Sequence, residues 1–331
     1  MELIWLDVEH LDSRDVTQAV ALLEAARVVD CPHEISLTVS SFAARLRHGW
    51  DGERPIIALA RELGGRVTGV LEISLPRWDN THLGLVEVTV DPLARRRGLG
   101  RRLFEAGVQR VRAERRTLVV ADCFDQSVGV EFVRAMGLNP ASVEVKRRQD
   151  LLTLDWKKLD LEYEAAESRA GGYELVRMPG ATSEELIADV AGMTAAINDA
   201  PTDDLDVEDE VFSPERIRAF EAAQLARGRR IYRLVARERG AGILAGHTMV
   251  AVEGEQPGYG WQFDTSVLRS HRGHRLGLLL KIAMLRWLGE EEPQLRTLDT
   301  WNAASNAHMI KVNEVLGYHV VAKGMTWQRH L

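Results

Sequence analysis

The chain contains the same strand, loop and helix pattern twice. The first copy covers residues 87–100 and the second covers residues 264–277, and the two align without a gap at a constant offset of 177 residues. Further along, Gly137 and Leu138 correspond to Gly317 and Tyr318 at an offset of 180 residues. Self-similarity at a nearly fixed offset is typical of a duplicated structural unit. A chain of 331 residues is also long enough for two domains.

The flanking patterns predict that each half is a mixed α+β domain. A short strand and an amphipathic helix open each half, at residues 2–8 and 11–30 and again at 173–178 and 183–200. Alternating strands joined by glycine turns follow, at 56–61 and 67–75 and again at 231–237 and 243–252. We therefore expect an N-terminal domain at 1–159, a connector at 160–172 and a C-terminal domain at 173–331.

Composition excludes several classes of protein. The formal net charge of −7 provides no overall attraction to nucleic acid or to anionic lipid. Cys31 and Cys123 are the two cysteines, too few for a disulfide framework or a cysteine metal site. No apolar run approaches the roughly 20 residues of a membrane span. We expect a cytoplasmic protein without a nucleic-acid partner, a membrane segment or a metal, and we make no prediction of its oligomeric state.

The repeated loop has the composition of an anion site. In the first copy, residues 95–100 follow a strand and open a helix, so successive backbone N–H groups would point at one place. Glycine at positions 98 and 100 lets the backbone approach a phosphate closely. Charge for phosphate groups comes from Arg95, Arg96, Arg97, Arg101 and Arg102. Neither the Rossmann spacing nor a Walker Gly-Lys-Ser/Thr motif is present.

These motifs resemble the GNAT superfamily of acetyl-CoA-dependent acyltransferases. Val90-Asp91-Pro92 followed by residues 95–100 matches the family pattern, a strand ending Val-x-Pro and then Arg/Gln-x-x-Gly-x-Gly/Ala. Residues 264–277, 300–306 and 313–318 are similar to the C-terminal half of actinobacterial tandem GNAT proteins of the mycothiol synthase type. The resemblance covers nearly the whole chain and is specific for fold and cofactor, but it does not specify the substrate.

The resemblance implies a mixed central sheet in each half, with fourth and fifth strands that splay apart to admit the pantetheine of acetyl-CoA. Those strands would be 85–90 with 117–123, and 261–267 with 296–302. In the first half the implied cofactor residues are Val88, Val90, Arg95, Arg96, Arg97, Gly98, Leu99, Gly100 and Arg101. In the second half they are Val267, Arg272, Gly273, His274, Arg275, Leu276, Gly277, Asn302 and Asn306.

The resemblance also implies direct attack by an amine, which needs a base for the ammonium and an acid for the leaving thiolate. Glu87 and Asp264 occupy equivalent places on the fourth strands and are the candidate catalytic bases, although each is equally well explained as an ordinary solvated or capping acid. The family's frequent tyrosine acid is replaced by Val133 and by Asn313. Arg275 stands where the loop pattern has glycine, so we expect the second loop to bind CoA more weakly or to serve the acceptor or a structural role.

Several polar residues keep two interpretations. His271 and His274 are better explained as loop residues or phosphate donors than as bases. Asn302 and Asn306 would bond pantetheine amides, or Asn306 would cap the next helix. An acidic run either attracts a cationic amine or is a solvated loop; it comprises Asp199, Asp203, Asp204, Asp206, Glu208, Asp209 and Glu210.

The sequence thus predicts acetyl transfer from acetyl-CoA, as co-substrate, to a primary amine of a small molecule. The missing tyrosines motivate a competing hypothesis, a catalytically silent acyl-CoA-binding or scaffolding protein. Acetylation of protein lysines is a further enzymatic alternative. The acceptor, the acyl-chain preference and the half that carries catalysis are left open.

Overall fold

The computed structural model describes residues 2–331. These residues form two compact units. The first unit contains residues 2–144 together with Thr202–Asp209 and Ala322–Leu331. The second unit contains Val145–Pro201 and Glu210–Val321. This division differs from the contiguous ranges expected from the sequence, because each unit is completed by a segment from the other half of the chain.

The first unit is built on a six-stranded sheet in the order β1-β2-β3-β4-β5-β12. Helix α1 begins at an aspartate cap, in which Asp12 accepts from the backbone N–H of Arg14 at 2.7 Å. Helix α2 begins at a capping box formed by Thr38 and Ser41. The elements of the first unit are β1 (Glu2–Trp5), α1 (Ser13–Asp30), α2 (Val39–His48), β2 (Ile56–Arg61), β3 (Val67–Ser74), β4 (Leu83–Val90), α3 (Leu99–Ala113), β5 (Leu118–Phe124), α4 (Gly129–Ala135) and the first half of β6 (Asn139–Asp150).

The last strand of the chain, β12 (His319–His330), completes the first sheet. It pairs antiparallel with β5 so that Trp327 lies opposite Ala121. Trp327 is 1% exposed and lies in the core that packs α3 against the sheet. On the opposite face, α1 and α2 cover a second apolar cluster that includes Phe42 and Val70.

The second unit repeats this plan with strand order β6-β11-β10-β9-β8-β7. The second half of β6 supplies its edge beside β11, where the backbone N–H of Leu151 donates to Arg296 at 2.8 Å. Its other elements are α5 (Trp156–Glu167), β7 (Tyr173–Pro179), α6 (Ile187–Thr194), α7 (Pro214–Ala226), β8 (Arg230–Glu238), β9 (Leu244–Val252), β10 (Tyr259–Val267), α8 (Leu276–Glu291), β11 (Thr297–Ala303) and α9 (Ala307–Val315).

The fold class expected from the sequence, two GNAT-type α+β halves in tandem, is confirmed. One helix differs from the prediction: the helix expected at 183–200 is shorter, with α6 limited to eight residues and followed by a 3-10 segment over Ala195–Asp199. The expected connector 160–172 lies largely within α5. Within residues 2–331, no helix is both long enough and apolar enough to cross a bilayer.

Candidate active site

Each sheet opens into a V between two parallel strands, β4 and β5 in the first unit and β10 and β11 in the second. In the first unit, β4 and β5 run parallel and pair only from Leu83 opposite Leu118 to Leu85 opposite Val120, although β4 continues to Val90. In the second unit, the pairing of β10 and β11 ends at Trp261 opposite Asp299. The predicted splay of the fourth and fifth strands is therefore present in both halves. Beyond the paired residues, the strand edges that face the V have no partner strand across it.

The half-buried residues Val88 and Val90 follow the split in β4 and pack against the core that α3 covers. Val267 holds the equivalent place in β10, against the α8 core. Because side chains alternate along a strand, Glu87 and Thr89 point to the opposite face, the one that α2 covers. The two faces of the V thus differ, with an apolar wall on one side and polar side chains on the other.

The first loop ends in an open helix N-terminus. Gly98 is in the left-handed region, with φ of 82°, and precedes α3. No side chain caps this helix. The backbone N–H of Arg102 donates to the carbonyl of Gly98 at 3.2 Å and so closes the first turn. Buried Leu99 fixes the helix start to the core, while the side chains of Arg96, Arg97 and Arg101 are exposed around it. An uncapped N-terminus ringed by arginines is suited to bind phosphate.

The second loop has the same backbone shape in spite of its different sequence. Gly273 with φ of 88° and Arg275 with φ of 59° are left-handed, as are the corresponding Arg96 with φ of 64° and Gly98. The glycine and the arginine have therefore exchanged places between the copies. Arg275 precedes α8 without a capping side chain, and its guanidinium pairs with Glu162 at 2.7 Å. A left-handed arginine costs about 1 to 2 kcal/mol, which this loop tolerates.

The first arginine of each loop is held by a protein carboxylate. Arg95 donates to both oxygens of Asp30 at 2.8 and 2.5 Å and to the carbonyl of Val90 at 3.1 Å. In the second unit, Arg272 binds Asp199 at 2.5 Å and the carbonyl of Val267 at 3.0 Å. Both arginines therefore tie the end of the fourth strand to a neighbouring segment. This contact, and not phosphate alone, accounts for an arginine at the start of the motif.

The remaining predicted loop residues have local contacts. His271 is buried and accepts or donates a hydrogen bond with the Tyr173 hydroxyl at 3.0 Å, while exposed His274 lies against the Tyr173 ring at 5.5 Å. Leu276 is buried like its counterpart Leu99. A Cβ added at Gly100 would lie 3.2 Å from the Phe132 ring, whereas one at Gly277 would have its nearest contact at 3.9 Å.

Glu87 is a solvent-accessible carboxylate placed directly opposite another carboxylate. On the neighbouring strand it faces Glu72, which is 7% exposed. Arg45 of α2 binds Glu72 with both terminal guanidinium nitrogens, one at 2.7 Å. The surrounding protein, which limits bulk water, raises the pKa of Glu87 to about 7, and the Glu72 charge adds to this rise while Arg45 opposes it.

Asp264 has a different electrostatic setting. Burial raises its pKa, but the nearby Arg233 guanidinium opposes the rise. Arg233 is a β8 residue that is 2% exposed and pairs with Glu221 of α7 at 2.6 Å. His247 lies on the same sheet with no exposed surface, and burial lowers its pKa to about 3. The two candidate bases are thus brought to equivalent places but into unlike surroundings.

The sequence did not reveal that a segment of the second half closes the first unit. Residues 202–209, here called the strap, are extended across β5 and β12. Leu205 and Val207 pack on Leu118 and Val120, an alternation visible in the sequence between the acids. The backbone of the strap is held by hydrogen bonds of 2.8 to 3.3 Å with Asn80, His82, Ala141 and Gln328.

The acids of the strap and of the sheet form one negative surface. The carboxylates of Asp204, Asp206 and Glu208 are exposed, as expected for a solvated loop. Exclusion of water raises the pKa of Asp122 on β5. The pKa of Glu144 is raised by exclusion of water and then by the charges of Asp122 and Asp203. Charge interactions therefore connect Glu87 with Asp122, and Glu144 with both Asp122 and Asp203 of the strap.

Asn306 caps α9, since its side chain accepts from the backbone N–H of Met309 at 3.1 Å. Val133, in the place of the usual tyrosine, is 3% exposed and has no polar group. Asn313, the second replacement, has no exposed surface and donates to Asn302 at 2.7 Å. Neither unit therefore has a tyrosine hydroxyl at this position.

Comparison with known proteins agrees with this geometry. Residues 21–136 match the sequence model of the Acetyltransferase (GNAT) family. A tandem GNAT protein from the clavulanic acid biosynthesis pathway, solved without AcCoA, is 27% identical over 99% of this chain and 98% of its own, with a TM-score of 0.80. No curated protein sequence matches the chain.

More distant structures share the fold alone. A GCN5-related N-acetyltransferase from Sphaerobacter thermophilus is 16% identical over 99% of this chain and 95% of its own, with a TM-score of 0.67. A putative acetyltransferase from Pyrococcus horikoshii is 14% identical over 99% and 89%, with a TM-score of 0.57. The chain therefore has the tandem GNAT architecture, and its residues 21–136 form a domain of the acetyltransferase (GNAT) family.

Proposed function

We propose that this protein transfers an acetyl group from acetyl-CoA to the primary amine of a small molecule, and that the reaction takes place in the first unit. The observation that carries the proposal is Glu87, an accessible carboxylate beside the V whose pKa is raised to about 7. A general base is most effective when its pKa is close to the working pH. The GNAT domain at residues 21–136 supports acyl transfer as the reaction class.

In the proposed reaction, Glu87 takes a proton from the substrate ammonium, directly or through water. The freed amine attacks the thioester carbonyl, and the resulting tetrahedral intermediate expels the CoA thiolate. Val133 offers no proton to this thiolate. Because a thiol has a reference pKa of about 8.5, the thiolate is a competent leaving group near neutral pH, and water or the protonated nitrogen of the tetrahedral intermediate supplies the proton.

Binding of acetyl-CoA is proposed for the first loop. The uncapped start of α3 would hold the pyrophosphate, with Arg96, Arg97 and Arg101 around it. Pantetheine would follow the open edge of β4 at Val88 and Val90. The second loop has the same backbone shape, which supports a second and weaker site there, since Arg275 places a side chain where the first loop has none.

The acidic surface supports a cationic acceptor. Asp122, Glu144 and the strap carboxylates would attract an ammonium toward Glu87. This charge distribution favours amine substrates over neutral or anionic ones. We also propose a cytoplasmic location, consistent with two cysteines that form no disulfide.

A catalytically silent acyl-CoA-binding protein is the second candidate, favoured by Val133 and Asn313 in place of tyrosine. Time-resolved release of CoA thiol with a panel of mono- and polyamines separates the two. The proposal expects amine-dependent release that Glu87→Gln lowers strongly at pH 7 and that Glu114→Gln, a change at the far end of α3, leaves intact. Binding of acetyl-CoA without turnover on any amine would establish the silent protein.

A further inference from the structure

The second unit contains a lysine inside its core. Lys281 of α8 is 3% exposed, and its Nζ lies 2.9 Å from Oδ1 of Asn313 and 5.0 Å from the centre of the Tyr318 ring. Burial lowers the pKa of Lys281 to about 7. No carboxylate within residues 2–331 forms an ion pair with it. A buried amine with one neutral hydrogen-bond partner is costly, so its presence requires a reason.

The repeat shows that the fold does not require this pair. At the offsets of 177 and 180 residues, Lys281 corresponds to Phe104 and Asn313 to Val133. Phe104 is 2% and Val133 is 3% exposed, and both lie in one apolar cluster of the first unit. The same helices thus pack with an apolar pair in one copy and with a polar pair in the other.

The lysine determines which way two amides face. The Nζ of Lys281 donates to Oδ1 of Asn313, so the Nδ2 of Asn313 is turned the other way. Its Nδ2 then donates to Oδ1 of Asn302 at 2.7 Å. Asn302 must in turn direct its own Nδ2 away from Asn313. Among residues 2–331, no protein group accepts from that nitrogen.

Asn302 is placed where the strands separate. It is half-buried near the end of β11, three residues past Asp299, where pairing with β10 stops. It shares a face of β11 with buried Leu298, the face that α8 and α9 cover. An unused amide donor therefore lies at the mouth of the second V.

We propose that Lys281 is a positioning residue: through Asn313 it holds Asn302 with its N–H directed into the second V, where it donates to a carbonyl of the pantetheine arm or thioester of an acyl-CoA. This inference rests on the proposed use of acetyl-CoA. The inference gives the second unit a contact with the acyl-carrying arm through Lys281, Asn313 and Asn302, here called the relay. The first unit has Phe104 and Val133 in the corresponding places and lacks this relay. Carbonyl oxygens of pantetheine are the matching acceptors.

The test copies the first unit into the second. In the Gly98→Asp chain, which places a carboxylate in the first phosphate cradle, Lys281 and Asn313 are replaced together by Phe and Val. Calorimetry with acetyl-CoA is compared with calorimetry using 3′,5′-ADP, which keeps the 3′-phosphate and the first 5′-phosphate of CoA but has no pantetheine. We expect acetyl-CoA to bind about tenfold more weakly, as for loss of one hydrogen bond, and 3′,5′-ADP to bind unchanged.

Asn302→Ala provides a second variant that does not alter the buried pair. It should weaken the binding of acetyl-CoA to the same extent. Combining it with the Phe and Val replacements should cause no further loss of affinity, because all three residues act through one donor. Unchanged acetyl-CoA affinity in either variant, additive losses, or a parallel loss of 3′,5′-ADP affinity would overturn the relay. Failure of amine acetylation with these binding results intact would instead refute the proposed function.

Discussion

The pH dependence of acetyl transfer is the sharpest consequence of the Glu87 geometry. With a pKa of about 7, the ionised fraction of Glu87 rises from about one tenth at pH 6 to about nine tenths at pH 8. If Glu87 takes the proton from a bound ammonium, kcat/KM should rise about tenfold over that interval and then level off. The Glu87→Gln enzyme should lack this plateau, because its rate follows the free amine, which accumulates only toward a pKa of about 10.4.

The neighbouring carboxylate supplies the decisive control. Glu72→Gln removes the charge directly opposite Glu87 and leaves Arg45 available to attract it. Both changes lower the pKa of Glu87 toward its ordinary value of 4.5. A decrease of one unit would raise the ionised fraction at pH 6 from about one tenth to about one half. The rising limb of the profile should therefore move to lower pH.

The assay measures thiol release with saturating acetyl-CoA and an amine that the wild-type chain accepts. It runs between pH 5.5 and 9, a range roughly centred on the pKa of Glu87. Thermal unfolding of each variant monitors the buried Glu72 site, whose change costs about 1 to 3 kcal/mol. A rising limb that stays at the same pH in Glu72→Gln would show that Glu87 is not the titrating group. Full activity of Glu87→Gln at pH 6 would remove it as the base.

Three further outcomes follow from the contacts above. Gly98→Asp should abolish CoA binding at the first loop by calorimetry. Gly98→Ala has the same backbone strain at a φ of 82° but a Cβ that meets nothing within 4 Å, so it should retain most of the binding; equal affinities would refute the phosphate placement. Asp30→Asn should lower the free energy of unfolding by about 1 kcal/mol in urea titrations because it weakens the bidentate contact with Arg95, and an unchanged midpoint would contradict this. Folded His247 does not bind a proton until about pH 3, while the unfolded residue does so below 6.5, so stability is lost as pH falls through that window by about 1.4 kcal/mol per unit. His247→Val, copying the corresponding Val70, should reduce that acid loss, and an equal slope of stability between pH 4 and 6 in both proteins would refute it.

The fold was predictable where local pattern and repeat agree. The constant offset aligned two loops and two following strands, and the structure confirms the duplicated fold and both splayed V regions. The offset also paired Arg96 with Gly273 and Gly98 with Arg275, but the shared backbone shape was hidden, because an arginine gives no local signal of a left-handed φ. Each of these arginines forms an ion pair with a residue remote in sequence, Arg96 with Glu131 at 3.3 Å and Arg275 with Glu162 at 2.7 Å.

The placement of β12 and of the strap in the first unit could not be predicted from the sequence, for a different reason. The pairing of β12 with β5 joins residues about two hundred positions apart, and the strap leaves the second half to pack Leu205 and Val207 on the first sheet. Alternation within 202–209 marks an extended segment but does not identify its partner. The division of the chain into contiguous halves missed these contacts because it used chain order alone.

The ion pairs behind the two candidate bases are the reason for proposing catalysis in the first unit. In the first unit the strand carries the acid, Glu72, and the helix carries the base, Arg45. In the second unit the signs are reversed and the charge stands on a different strand, with Arg233 on β8 and Glu221 on α7.

Glu72 lies on β3 directly opposite Glu87, whereas Arg233 lies on β8, two strands away from the β10 strand that carries Asp264. Glu72 therefore raises the proton affinity of Glu87, whereas Arg233 opposes the same change at Asp264. A base that must take a proton from an ammonium near pH 7 benefits from the first setting and not from the second. The duplicated backbone thus presents two similar V regions, and we propose that their different ion pairs suit the first V to proton abstraction and leave the second V to binding.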